Sequence, residues 1–359
     1  DEPWRKSHGN SKKYFIRFQF GQMKTKVTIL SLTVLVAMLS FTVEHYGLSW
    51  PGYFPKPAYD FSKNPPDSAK IQLGRNLFYS PVLSLNSTIS CASCHSPYNA
   101  FAHTDHSLSH GIHDQVGNRN APALFNLAWQ KKFMWDGAVN HLDMQPLAAL
   151  SHPKEMGESL PSVVKKLNQS GFYRSLFYQA FGDSVATGEK VLKALAQFQL
   201  TLISANAKYD QVRQGKTAFT EQEERGYAIF SKYCNSCHKE PMFTDYSFAN
   251  NGLPADSTLK DYGRWIITQQ SEDSLHFKVP SLRNLSYTFP YMHDGRFKKL
   301  QQVIDHYTEG IQDYKVVSKK LRKPILLSEE EKIDLLSFLL TLNDKEFIYN
   351  PKFNYPGKK

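Results

Sequence analysis

Apolar residues recur at helical spacing in several segments of the chain. Over 67–78, Ile71, Leu73, Leu77 and Phe78 share one side of an amphipathic helix, with Asp67 or Ser68 placed to cap its N-terminus. A longer helix is expected over 188–204, where Val191, Leu192, Leu195, Phe198 and Leu202 fall on one face. Thr220-Glu221-Gln222-Glu223 is a capping box, in which side chains and backbone satisfy each other's orphan donors, and it predicts a helix running toward Cys234. Ser328-Glu329-Glu330-Glu331 opens another in the same way, with Ile333, Leu335, Leu336, Phe338, Leu339 and Leu340 as its apolar positions. Alternating patterns are weak throughout, so the expected fold is mainly α.

Punctuation divides the chain further. Residues 46–66 are rich in Pro and read as a linker, while the polar stretch 208–218 marks a boundary between a first unit at 67–210 and a second at 211–347, followed by a tail at 348–359. Ahead of these, Met23-Lys24-Thr25-Lys26 leads into an apolar run from Val27 to Val43 with no charge inside it. Lys before an uncharged run reads as an export signal or an uncleaved anchor over 23–45. The run is long for a signal core and short for a membrane span, so both stay open. Residues 1–22 read as an upstream extension without a structural role.

Composition narrows the function classes. The formal charge is +10, but Lys and Arg are spread along the chain rather than massed, which argues against nucleic-acid binding. Aromatic residues make up 13% of the chain, a share that suits walls around large flat cofactors.

The chemistry lies in the cysteines. All four belong to two copies of one pattern, Cys91-Ala92-Ser93-Cys94-His95 and Cys234-Asn235-Ser236-Cys237-His238. C-x-x-C-H is the attachment signature of c-type haem, with each thiol adding to a vinyl group and the histidine presenting a nitrogen to the iron. No further cysteine is left to complete a zinc tetrad. Two covalent c-type haems, ligated by His95 and His238, are therefore expected. Such attachment takes place outside the cytoplasm, which agrees with an export signal.

Several further segments appear in a characteristic order: Leu73-Gly74-Arg75-Asn76-Leu77-Phe78, Asn120-Ala121-Pro122, Phe133-Met134-Trp135-Asp136-Gly137, Pro153-Lys154-Glu155-Met156-Gly157, Val279-Pro280-Ser281-Leu282-Arg283-Asn284 and Tyr291-Met292-His293-Asp294-Gly295. With the two haem motifs, they make the chain similar to the bacterial di-haem cytochrome c peroxidase family, including its MauG-type branch, over about residues 65–345. The resemblance implies two cytochrome c-like domains, each wrapped around one haem.

The resemblance also assigns roles. Glu155 lies 20 residues after Trp135, the family's spacing from its interhaem tryptophan to its catalytic acid. A carboxylate at the first haem can act as general base and then general acid, moving a proton between the two oxygens of peroxide. Trp135 is implied as an electron relay between the haems. Asn120, through its side-chain oxygen, and Thr288 and Pro290, through backbone carbonyls, match the family's calcium site. Peroxidases of the family carry a distal histidine at a position that is Ile112 here, flanked by His110 and His113. Either could ligate the first iron, or that iron stays five-coordinate as in the MauG-type branch. Ala149 stands where the family often has Pro. For the second iron, Tyr307 occupies the position of the peroxidases' methionine, as it does in MauG-type enzymes, and Met292 is the alternative ligand. A phenolate stabilises ferric iron, whereas a thioether raises the potential.

The expected function is reduction of hydrogen peroxide to water in the periplasm, by a protein either soluble or tethered through its N-terminal segment. Electrons would enter at the second haem from a small cytochrome or copper protein. The alternatives are MauG-type oxidation of a partner protein and a di-haem electron carrier. A homodimer is compatible with the sequence.

Overall fold

The structure, a computed structural model, describes residues 48–312 and 315–357 together with the strand 42–45. The segments read as an upstream extension (1–22) and as a signal or anchor (23–45) lie outside the described residues, apart from that strand. Among the described residues, no helix is long and apolar enough to cross a membrane.

The chain is mainly helical. Its α-helices are α1 (Ser68–Phe78), α2 (Cys91–Cys94), α3 (Gln145–Ser151), α4 (Leu160–Gln169), α5 (Gly171–Phe181), α6 (Gly188–Leu200), α7 (Lys208–Arg213), α8 (Glu221–Tyr233), α9 (Trp265–Thr268), α10 (Leu300–Asp305), α11 (Glu329–Leu340) and α12 (Lys345–Ile348). Among the described residues, strands are confined to two small antiparallel pairs, β1 (Thr42–His45) with β2 (Leu48–Pro51) and β3 (Phe248–Ala249) with β4 (Phe277–Lys278). Asp67 caps α1 by accepting from the Lys70 N–H. Both capping boxes form, at Thr220 with Glu223 and at Ser328 with Glu331.

Each half is organised by one close helix crossing. In the first, α1 packs on α6, and a Cβ at Gly74 would run into the Ala194 carbonyl. In the second, α8 packs on α11, and a Cβ at Gly226 would run into the Asp334 carbonyl. Phe198 and Phe338, each four residues after the residue whose carbonyl is met, flank the two glycines and are fully buried. Only Gly permits backbones to approach this closely. The repeat extends to a turn: Met134 in Phe133–Gly137 and Met292 in Tyr291–Gly295 both adopt positive φ, +67° and +75°. Phe133 and Tyr291 open these turns with matching bridges, to Val139 and Phe297.

Several boundaries differ from expectation. The 188–204 helix ends at Leu200, although Leu202 remains buried. The polar stretch 208–218 contains α7, where Tyr209 and Asp210 are buried, because the Asp210 charge is fully compensated by Arg283. On α11, Ile333 and Leu340 lie outside the apolar face and are exposed. The Pro-rich segment 46–66 is no free linker: Trp50, Phe54, Tyr59 and Phe61 join the first core, since aromatics between the prolines outweigh the broken backbone pattern. The described part of the tail, 348–357, is likewise anchored. Ile348 and Phe353 are buried in the first core, and Tyr79 donates to the Phe353 carbonyl at 2.5 Å.

Candidate haem sites and catalytic residues

The first C-x-x-C-H motif forms the short helix α2 and the residue after it. Neither its cysteines nor those of the second motif are in a disulfide. His95 Nδ1 lies 2.7 Å from the Phe101 carbonyl oxygen, so that nitrogen donates and the other keeps its lone pair for a metal. Burial pushes His95 down to about 4, which keeps the ring neutral as ligation requires. Burial raises the Cys91 thiol to about 12 and the Cys94 thiol to about 11, and the nearby Glu155 carboxylate adds to both shifts.

Glu155 sits beside the first motif, because Cys94 Sγ lies 3.5 Å from the His110 carbonyl oxygen and the segment that follows His110 pairs with the Glu155 loop. Its loop is built by backbone contacts: the Ile112 N–H donates to the Glu155 carbonyl at 2.8 Å, and a Cβ at Gly111 would meet the Lys154 carbonyl. Burial lifts the Glu155 carboxyl to about 7, while 34% of its side chain stays accessible, as contact with a substrate requires. His152 stands 3.8 Å away. Of the loop residues weighed as distal ligands, His110 is hydrogen-bonded to Asp114 at 2.8 Å and His113 is exposed, whereas the side chain buried between them is Ile112. His103, His106 and His110 stack in a row beside the motif.

The second motif borders a cavity of about 290 Å³ whose lining includes Cys234, Cys237 and His238. His238 Nδ1 lies 3.1 Å from the Pro280 carbonyl oxygen, leaving its other nitrogen free in the same way. Tyr307 and Met292 line this cavity too. Tyr307 sits in a π-helical turn, His306–Gly310, directly after α10; such turns recur at functional sites. Burial raises its hydroxyl, and both cysteines of the motif contribute. Met292 Sδ accepts from Asn251 Nδ2 at 3.6 Å.

Trp135 and all three residues of the implied calcium site line the same cavity. The Trp135 indole N–H donates to the Asn120 carbonyl at 2.9 Å, and the Asn120 N–H donates to the His293 carbonyl at 2.7 Å. The tryptophan is thereby connected to the second half through one residue. Arg119 binds Asp136 and Asp261, each at 2.6 Å, and so ties the Trp135 turn to the second half as well.

Residues 68–218 match the family model described as di-haem cytochrome c peroxidase. The methylamine utilization protein MauG of Methylorubrum extorquens is 38% identical over 291 residues, which is 78% of this chain and 79% of that protein. This chain belongs to the di-haem cytochrome c peroxidase family. The cytochrome c551 peroxidase of Nitrosomonas europaea is 33% identical over 246 residues, covering 67% of this chain and 73% of that protein. Among solved structures, a MauG-like protein associated with microbial copper homeostasis superposes with a TM-score of 0.79 at 32% identity, covering 85% of this chain and 98% of that one.

As a family member, the protein carries two covalent c-type haems. The donor sets fit them, since each half presents two thiols and a neutral histidine oriented by a backbone carbonyl. Asn251 and Lys278 are among the cavity residues that sequence reasoning missed. Asn251 reads as part of an Asn-Asn-Gly turn, and Lys278 precedes the Val279–Asn284 segment with nothing to mark it. Lys278 donates to Gln130 Oε1 at 2.6 Å, and burial pushes its ammonium down to about 8.

Proposed function

We propose that this protein is an exported di-haem peroxidase that reduces hydrogen peroxide to two waters, using two protons and two electrons from a small redox protein. The observation that carries the reading is Glu155, a carboxyl raised to about 7 beside the first C-x-x-C-H motif. When bound, the haems would carry the donor's electrons and supply the Lewis-acid site. The side chains supply proton traffic and connection. Near neutral pH, Glu155 is divided between acid and base, so it can take a proton from one peroxide oxygen and return it to the other, which leaves as water. Trp135, on the wall of the cavity at the second motif, suits an electron relay. We assign one calcium ion to Asn120, Thr288 and Pro290, where it would join the halves, and the two haem domains to 67–210 and 211–347. The setting is periplasmic, with the N-terminal segment as signal or anchor.

A second reading is favoured by Tyr307. A tyrosinate holds its iron ferric and makes it a poor high-potential electron inlet, as suits MauG-type oxidation of a partner protein. Adding peroxide to the reduced and half-reduced protein, while following the haem spectra, separates the readings. Turnover with a reduced cytochrome supports the peroxidase. A long-lived two-electron-oxidised state, formed without cytochrome oxidation, supports the MauG-type reading. No reaction leaves an electron carrier.

A further inference from the structure

The segment 315–327 closes one side of the second haem cavity. Lys320, Leu321, Ile325 and Leu327 line that cavity alongside Cys234, Cys237 and His238. The segment is held in place along its length. Val317 is buried at 2% exposure, the Ser318 N–H donates to the Asn250 carbonyl at 3.0 Å, and the Ile325 N–H reaches the Tyr307 carbonyl at 3.4 Å. Lys320 Nζ donates at 3.1 Å to the carbonyl of Ser236, a residue inside the second C-x-x-C-H motif.

Its outer side is a ridge of positive charge. Lys315, Lys319, Lys320, Arg322 and Lys323 fall within nine residues, and all five are exposed. Among the described residues, no carboxylate lies within salt-bridge distance of any of them; the sequence places a single acid, Asp313, just ahead of the segment. The acids at the nearby start of α11 are largely spoken for. Glu331 is in the capping box, and Lys332 holds Glu329 together with Asp305 and Glu309, while Glu330 remains exposed. Beside the cations, Leu326 projects with 79% exposure. Charges around an apolar contact, next to a redox centre, are the anatomy of a small, transient, electrostatically steered encounter.

We infer that the Lys315–Lys323 ridge, with Leu326, is the docking surface of a small redox protein that presents an acidic face. This rests on the reading that electrons pass through the second haem, and it adds the sign of the partner's charge. A donor with a basic face would be repelled from this side of the cavity.

The test uses the haem-loaded protein and two probes of one fold: mitochondrial cytochrome c, which is basic, and the same cytochrome with its lysines succinylated, which is acidic. Complex formation is read by chemical-shift perturbation of each probe, so it requires neither electron transfer nor peroxide. Peroxide turnover with a small neutral reductant, measured separately, reports the enzymatic reading. At about 10 mM salt, where charges act over about 30 Å, the acidic probe is expected to bind at least about ten-fold more tightly than the basic one, and the difference should collapse near 1 M salt. In a Lys315→Glu/Lys319→Glu/Arg322→Glu/Lys323→Glu variant the preference should reverse, while turnover with the neutral reductant persists. Tighter binding of the basic probe, binding of neither, or indifference of the variant to probe charge would overturn the assignment.

Discussion

The side-chain amide nitrogen of Asn251 lies 3.5 Å from the Tyr307 hydroxyl. Asn251 is itself fixed, because its backbone carbonyl oxygen lies 3.1 Å from His306 Nε2, one residue before the tyrosine. Burial raises the Tyr307 hydroxyl, and the Asn251 amide works against it by favouring the phenolate. The same amide touches Met292 Sδ, so one side chain faces both residues weighed as ligands to the second iron.

Exchanging the donor atom distinguishes them. Tyr307→Met replaces a hard anionic oxygen with a thioether and is expected to raise the midpoint potential of the second haem. Met292→Leu should leave that potential in place. Spectroelectrochemical titration of both variants reads the outcome, and a shift seen only in Met292→Leu would make Met292 the ligand.

Glu155→Gln keeps the shape of the side chain and removes its proton chemistry. Peroxide cleavage should slow by about two to four orders of magnitude, while haem content and peroxide-free spectra stay as they are. Stopped-flow mixing with peroxide measures this. A wild-type rate would remove Glu155 from the mechanism.

The same carboxyl sets a pH dependence. Burial holds its proton to about 7 in the folded protein, against an ordinary value of 4.5. The base form needed to accept the first proton is lost as pH falls through 7, so the peroxide reaction should decline on that side. Stability runs the other way. Its contribution is fully present below 4.5 and is lost as pH rises toward 7, because the unfolded chain releases the proton first. Glu155→Gln should flatten both profiles, which rate and denaturant measurements across pH 4–8 would reveal.

The Asp210–Arg283 pair has no exposed side-chain surface on either residue, and both guanidinium contacts are short, at 2.7 and 2.8 Å. Tyr53 also donates to Asp210 at 2.7 Å. Asp210→Ala leaves a buried guanidinium without its charge partner and should cost about 3–5 kcal/mol. The double replacement Asp210→Leu/Arg283→Met is expected to cost clearly less. Urea unfolding of the two variants provides the comparison.

Adding one methyl group at either helix crossing tests the repeat. Gly74→Ala and Gly226→Ala each drive a Cβ into a carbonyl of the partner helix and should destabilise by about 1–3 kcal/mol or more. Thermal unfolding followed in the far ultraviolet checks this. Wild-type stability in both would mean that the helices can separate without loss.

Local chemistry was legible along the chain. The haem motifs, the capping boxes and the apolar faces of α1, α6 and α11 need only residues a few positions apart, and interactions over such spans leave a pattern in sequence. The paired segments Phe133–Gly137 and Tyr291–Gly295 were visible as family motifs, but that both turns place their methionine at positive φ emerged only in the fold. Long-range placement left no such trace. That Ile112 rather than His110 or His113 is buried beside Glu155, that Asn251 faces Tyr307 and that Lys278 lines the cavity with Trp135 all depend on contacts between segments far apart in the chain. The Pro-rich segment was misread for the same reason, since whether its aromatics are exposed or buried depends on the core they meet. The two C-x-x-C-H motifs determined the haems, and the family resemblance carried the class of chemistry. Desolvation, which raises Glu155 toward neutrality, exists only once the chain has folded around it.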